Sequence, residues 1–140
     1  MTAGTVVAHR WQPGRSVLAI GASLITVVVL SLGTDVVLHA TGVYPPWGQA
    51  MSDGLFGLAT AYRLVYGILG GWMTARLAPS RPMAHSLVGA AIGTVLATVG
   101  AVLTWNKGPE FGPHWYPLAL VVTAIPCGWL GAVIATRRAG

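Results

Sequence analysis

The stretch Val17–Thr34, VLAIGASLITVVVLSLGT, carries no charged side chain and no proline. With its flanks it makes an apolar run over about residues 16–38, and a helix crossing a bilayer core needs about 20 such residues. Three similar runs follow. Residues 55–75 contain a single charge, Arg63, while 86–105 and 115–136 contain none. Inside hydrocarbon every backbone N–H and C=O must be paired within its own segment, so these runs are expected to be helices. No ten-residue alternation of polar and apolar positions points to a membrane β-barrel. The expected fold is an all-α membrane protein, one domain over residues 1–140, with four transmembrane helices in an up-down bundle.

Composition agrees with that reading. Of 140 residues, 54 % are hydrophobic and 8 % charged, and the mean hydropathy is +0.68. A soluble domain carries about a quarter of its residues as Asp, Glu, Lys or Arg. The eight basic and three acidic residues here are too few to hydrate a globule. The first run is also longer than the ~7–15 apolar residues of a cleaved signal peptide, and no small-residue cleavage site follows it. It reads as a retained helix.

Orientation comes from the loops. Arg10 and Arg15 precede the first span, Arg76 and Arg81 flank the middle loop, and Arg137 and Arg138 follow the last span. The other two loops hold only Lys107 between them. Cytoplasmic loops carry the excess of Arg and Lys, so both termini and the middle loop are expected in the cytoplasm, across a bacterial inner membrane. Asp35, Asp53 and Glu110 then fall toward the outer side. Trp47, Trp105 and Trp115 would mark the outer interface, and Trp11 and Trp72 the inner one.

Several functions are excluded or disfavoured. The lone cysteine, Cys127, has no partner thiol for a disulfide, a four-cysteine zinc site or dithiol redox chemistry. The net charge of +5 sits at helix ends with no basic run, so nucleic acid is not an expected partner. His39, His114, Asp53 and Glu110 show no metal-ligand spacing. His9, His39, His85 and His114 all lie near span ends, where they cannot face each other across a haem. No nucleophile with a base and an orienting group can be assembled. Neither an enzyme nor a resident cofactor is expected.

Two patterns stand out. Small residues recur at helical spacing: Gly57, Thr60, Gly67, Gly71 and Thr74 in the second span, and Ser86, Gly89, Ala90, Gly93, Ala97 and Gly100 in the third. Such positions let helix backbones approach closely, so Gly67, Gly71, Gly89, Gly93 and Gly100 are expected at packing contacts, within the bundle or along an oligomer seam. The second pattern is the pair of charges within the spans, Asp35 and Arg63. An ionised group in hydrocarbon costs at least about 2.5–3.5 kcal/mol, so it takes a partner or faces water. Arg63 lies roughly 12 Å inward from the start of its helix, and its side chain leans back toward that start. That brings it to the level of Asp35. An ion pair between them is the main expectation; a snorkelling arginine and a solute or proton site are the alternatives. His39, Tyr62 and Tyr66 are candidate polar neighbours. Pro126, in mid-span, is expected to kink the fourth helix. A faint echo between Gly71-Trp72-Met73 and Gly128-Trp129-Leu130 fits either a duplicated hairpin or shared membrane constraints.

The stretch from Arg63 to Gly93, with Gly70-Gly71-Trp72, Ala75-Arg76-Leu77-Ala78-Pro79, Arg81-Pro82 and His85 opening a glycine-rich helix, resembles small uncharacterised four-helix membrane proteins of bacteria. The resemblance implies a fold and no activity. The expected function is an accessory subunit of a membrane complex or a self-associating bundle, with the bilayer and a membrane protein or second copy as partners. A small oligomeric transporter or channel with Asp35 and Arg63 near its pathway is the alternative. Reporter fusions at Gly140 and within Pro79–Pro82 should both report cytoplasm; a periplasmic signal from either overturns the orientation.

Overall fold

The structure is a computed structural model that describes residues 13–108 and 111–139. His9, Arg10, Trp11, Glu110 and the side chain of Arg138 lie outside the described residues. Four helices follow one another: α1 Pro13–Ala40, α2 Asp53–Leu77, α3 Pro82–Thr104 and α4 Trp115–Ala139. The described residues contain no strand. Three helices, α1, α3 and α4, are long and apolar enough to cross a membrane. The charges and glycines of α2 lower its hydropathy, and α2, like α3, is in contact with all three other helices.

Local chemistry sets the helix ends. Ser52 caps α2, its Oγ accepting from the Leu55 N–H at 3.3 Å. At the other end Ala78 N–H bonds Thr74 O, and Pro79 cannot continue the helix. Pro82 occupies the first turn of α3, where a missing N–H is harmless. Arg81 before it takes a left-handed φ of 45°, a conformation uncommon outside glycine. The helical threonines satisfy themselves locally: Thr26, Thr94 and Thr123 each donate to the carbonyl four residues earlier. In an apolar surrounding that leaves no hydroxyl unpaired. α4 runs unbroken through Pro126.

Side-chain pairs fix the relative directions. Val27 lies over Gly70, and Asp35 meets Arg63, so α1 and α2 run antiparallel. Phe56 meets Tyr116 and Gly67 meets Cys127, so α2 and α4 run parallel. Ser86 meets Gly128 and Trp105 meets His114, so α3 opposes α4.

Glycine determines how close the helices come. A Cβ built on Gly71 would lie 2.5 Å from Gly128 O, and one built on Gly131 would run into Ile68 O. At Gly67 it would sit 3.2 Å from Cys127 Cβ, at Gly70 2.6 Å from Val27 Cγ2, and at Gly128 2.6 Å from Ala90 Cβ. Ser86 joins three helices at this crossing: its hydroxyl, buried on α3, donates to Gly128 O at 2.7 Å and lies 3.3 Å from Gly71 O. Gly89 makes only ordinary contacts, 3.8 Å to Ile20 and to Thr74. Gly93 and Gly100 make no packing contact within the bundle: a Cβ on either meets nothing within 4 Å. The reason is the path of α3, which is held at its start by Ser16 Oγ···His85 Nε2 at 2.7 Å and by Ile20 near Gly89. Farther along, no group comes within 4 Å of a Cβ placed at either glycine. A cavity of about 370 Å³ lies among the four helices, with Gly93 on its wall.

Gly71→Ala should therefore lower the detergent melting stability by about 1–3 kcal/mol, as overpacking does. Gly100→Ala should be neutral or stabilising by up to about 1 kcal/mol, since it gains helix propensity and meets no neighbour. Equal melting of both variants would remove the α2–α4 crossing as a packing constraint.

Candidate functional site: a polar cluster beneath the long loops

The end of the bundle that carries residues 41–52 and 105–114 holds the charged pair. Asp35 sits on α1 just after Thr34, and Arg63 on α2 just after Tyr62. Arg63 Nη2 donates to Asp35 Oδ2 at 2.6 Å. Its Nη1 donates to Tyr62 Oη at 3.0 Å and to Ala59 O at 3.4 Å. The Tyr62 hydroxyl donates to Asp35 Oδ1, so both carboxylate oxygens are engaged. Tyr62 has one proton, and Asp35 takes it. The Tyr44 hydroxyl, 3.2 Å from Tyr62 Oη, is therefore the donor in that contact. The guanidinium carbon lies 5.1 Å from the Tyr62 ring centre and 5.9 Å from that of Tyr116, within cation–π range. Arg63 and Asp35 side chains are only 20 % and 15 % exposed. A charge-assisted pair so enclosed is stronger than one in water, and more costly to break.

Of the neighbours expected from sequence, Tyr62 belongs to this network. Tyr66 is one turn away, its hydroxyl 2.6 Å from Thr34 Oγ1 and its ring 5.9 Å from that of Tyr62. His39 hydrogen-bonds none of these groups, but its ring packs edge-on against that of Tyr44 at 5.1 Å. Its ring stacks on Trp47 at 3.6 Å, and its Nδ1 lies 2.7 Å from Pro45 O, because the Tyr44–Trp47 turn folds back over the end of α1. The second long loop repeats the arrangement: His114 stacks on Trp105 at 3.8 Å and its Nε2 lies 3.0 Å from Trp105 O. Two participants come from positions read only as a loop and a span end. Tyr44, almost wholly buried, drops from the loop into the bundle, and Tyr116 closes the α4 side. The signal for Tyr44 is a tyrosine beside a Pro-Pro turn, which sets the backbone but not the depth its side chain reaches. Phe56 seals the cluster under Gly112, whose φ of 94° turns the chain across its ring.

The cluster ties α1, α2, α4 and the first loop together and engages both carboxylate oxygens. Among the described residues, no buried side-chain nitrogen or oxygen lacks a hydrogen-bond partner. No three His, Cys, Asp or Glu side chains among them are grouped to hold a metal ion. No family model matches the chain, and no curated protein or solved structure matches it either.

Arg63→Leu leaves Asp35 without its cation, and Asp35→Leu leaves Arg63 without its anion. Each should cost about 3–5 kcal/mol of detergent stability, and the double replacement should recover much of that loss. A double-mutant cycle reads the coupling, and a value below about 0.5 kcal/mol would show the pair to be energetically independent.

Proposed function

We propose that this chain is a four-span integral membrane protein of the inner membrane that acts by helix association, as an accessory subunit or as a self-associating bundle. In this reading both termini are cytoplasmic, and α2 crosses the bilayer with the other three. Its 25 residues make roughly 37 Å of helix at 1.5 Å per residue, longer than a hydrocarbon core. Its one central charge is neutralised by Asp35.

The observation that carries the reading is the divided use of glycine. Gly67, Gly70, Gly71, Gly128 and Gly131 are all occupied by neighbouring helices, whereas Gly93 and Gly100 on α3 have no neighbour within 4 Å. Those two glycines lie seven residues apart, on one face of α3, beside the exposed side chains of Leu96 and Leu103. Dispersion between closely approaching backbones is the main drive for association in lipid, and that face offers it to another helix. The resemblance to small bacterial four-helix membrane proteins agrees and adds no activity.

A second reading, a small oligomeric transporter or channel, draws on the cavity that reaches Arg63. It asks the pair to open during transport, and it is tested by ion flux in liposomes.

Purification in mild detergent tests the first reading. The wild type should carry a fixed stoichiometric partner or form a homo-oligomer, and Gly100→Leu should release it without loss of melting stability. A wild type that runs as a lone monomer, or a variant that keeps the assembly undiminished, overturns the reading.

A further inference from the structure

Two helices of the bundle begin alike. α1 opens Pro13-Gly14-Arg15-Ser16 and α3 opens Pro82-Met83-Ala84-His85, so Ser16 and His85 occupy the same place in their first turns. Both helices start at one end of the bundle, and their side chains lean toward that end. The fold thereby joins two residues 69 positions apart, with Ser16 Oγ 2.7 Å from His85 Nε2. Sequence spacing alone does not assemble this pair.

The proton positions follow from what holds the other side of the ring. His85 Nδ1 lies 3.1 Å from Arg81 O, and a carbonyl only accepts, so Nδ1 carries the hydrogen. In the neutral ring Nε2 is then a lone pair, and the Ser16 hydroxyl donates to it. Thr26, Thr74 and Thr94 direct their hydroxyl protons to the carbonyl four residues earlier. Ser16 directs its own to a base. A hydroxyl, an imidazole that accepts its proton and a carbonyl that fixes the tautomer are the parts of an activated nucleophile. The carbonyl belongs to Arg81, whose left-handed φ of 45° is a backbone state concentrated at functional sites.

The surroundings suit an ester. Ser16 and His85 are both half-buried, so a ligand can reach them. Ser16 lies in the first turn of α1, where backbone N–H groups have no partner within the helix. Their partial positive charge favours an oxyanion beside the serine. Ser16 also marks a boundary. Arg15 and Arg81 are exposed at the outer edge of this end, and Val17 and Leu18, 71 % and 65 % exposed, begin the apolar run. With the chain across the bilayer as read above, that boundary is the cytoplasmic edge of the hydrocarbon, where the ester groups of amphiphiles lie.

We propose that Ser16 and His85 hydrolyse carboxylic esters of amphiphiles at the cytoplasmic edge of the bilayer, with Ser16 as nucleophile and His85 as general base. As the Ser16 proton passes to His85 Nε2, Oγ bonds the ester carbonyl carbon. The tetrahedral adduct breaks its bond to the alcohol oxygen, and the alcohol leaves with the proton held on His85. Water then attacks the acyl-Ser16 carbon while giving a proton to His85. That proton returns to Ser16 Oγ as the acid departs. The location of the substrate rests on the four-span reading, and the Ser16–His85 pair does not.

Fluorophosphonate labelling of the full chain in mild detergent, located by peptide mass spectrometry, tests the pair. The wild type should be labelled at Ser16 and should hydrolyse p-nitrophenyl octanoate in mixed micelles. Ser16→Ala should lose both. His85→Gln can still hydrogen-bond Ser16 but cannot take its proton. It should melt like the wild type and label about 100-fold more slowly, the scale of general-base catalysis. His85→Ala supplies a second measurement, since free imidazole should restore part of its labelling, which a merely structural bond would not allow. A wild type unlabelled at Ser16 or inactive on the ester overturns the assignment. So does wild-type labelling of His85→Gln, or failure of the rescue, and the bond is then a clamp between α1 and α3. The association reading is judged instead by the assembly state of the wild type and Gly100→Leu, so the two failures are distinguishable.

Discussion

At Gly71, Gly128 and Gly131 the main chains of α2 and α4 lie against each other with no side chain between them. In lipid, helices gain little from burying apolar surface, because the surrounding tails are equally apolar. What favours association is close dispersion contact and hydrogen bonding, and both converge here. The Ser86 hydroxyl reaches Gly128 O at 2.7 Å only because no Cβ on Gly128 holds α3 away. One buried hydroxyl thereby fixes the third helix onto a crossing made by the other two.

The opposite end of the same helix pair is built from large groups. Phe56 and Tyr116 keep α2 and α4 apart, with ring centres 5.0 Å from each other, and the Arg63 guanidinium fits beside them. This grading from glycine to aromatics places a charged residue at the wide end, beside Asp35, Tyr62 and Tyr116. It also explains why the least apolar helix is the central one. Arg63 and Tyr62, the tyrosine it hydrogen-bonds, are enclosed by α1, α4 and the first loop.

The helices themselves were legible from uncharged length alone, and their observed ends extend the sequence estimate by only a few residues, at Pro13, Leu77, Pro82 and Ala139. Asp35 and Arg63 were legible because charge is rare in such a chain, and helix geometry sets their levels. The pairing of helices was not legible. The spacing of Gly93 and Gly100 is the same kind of stripe as that of Gly67 and Gly71, yet one stripe is filled and the other open. Periodicity tells which face a residue occupies, not which helix covers that face. Gly128 and Gly131 also sit in a stripe of small residues, Ala124, Gly128, Ala132 and Ala135, and that spacing again does not tell which helix covers them. Tyr44 and His39 were hard to place for a different reason. A Pro-Pro turn decided that the tyrosine enters the bundle while the histidine stacks outward on Trp47.

The engagement of both Asp35 oxygens also bears on what kind of activity the bundle can support. A proton or cation carrier needs a carboxylate that can exchange partners, and here one oxygen is held by Arg63 and the other by Tyr62. Displacing either leaves a charge or a phenol unpaired in a site with little water, a penalty of several kcal/mol for each turnover. The helix association proposed above makes no such demand, since it draws on glycines of α3 with no neighbour within 4 Å and leaves the network of Asp35, Tyr62 and Arg63 intact. The closed pair thus favours a structural role at its own position, holding α1 to α2 at one end of the bundle while Ser86 holds α3 to the glycine crossing at the other.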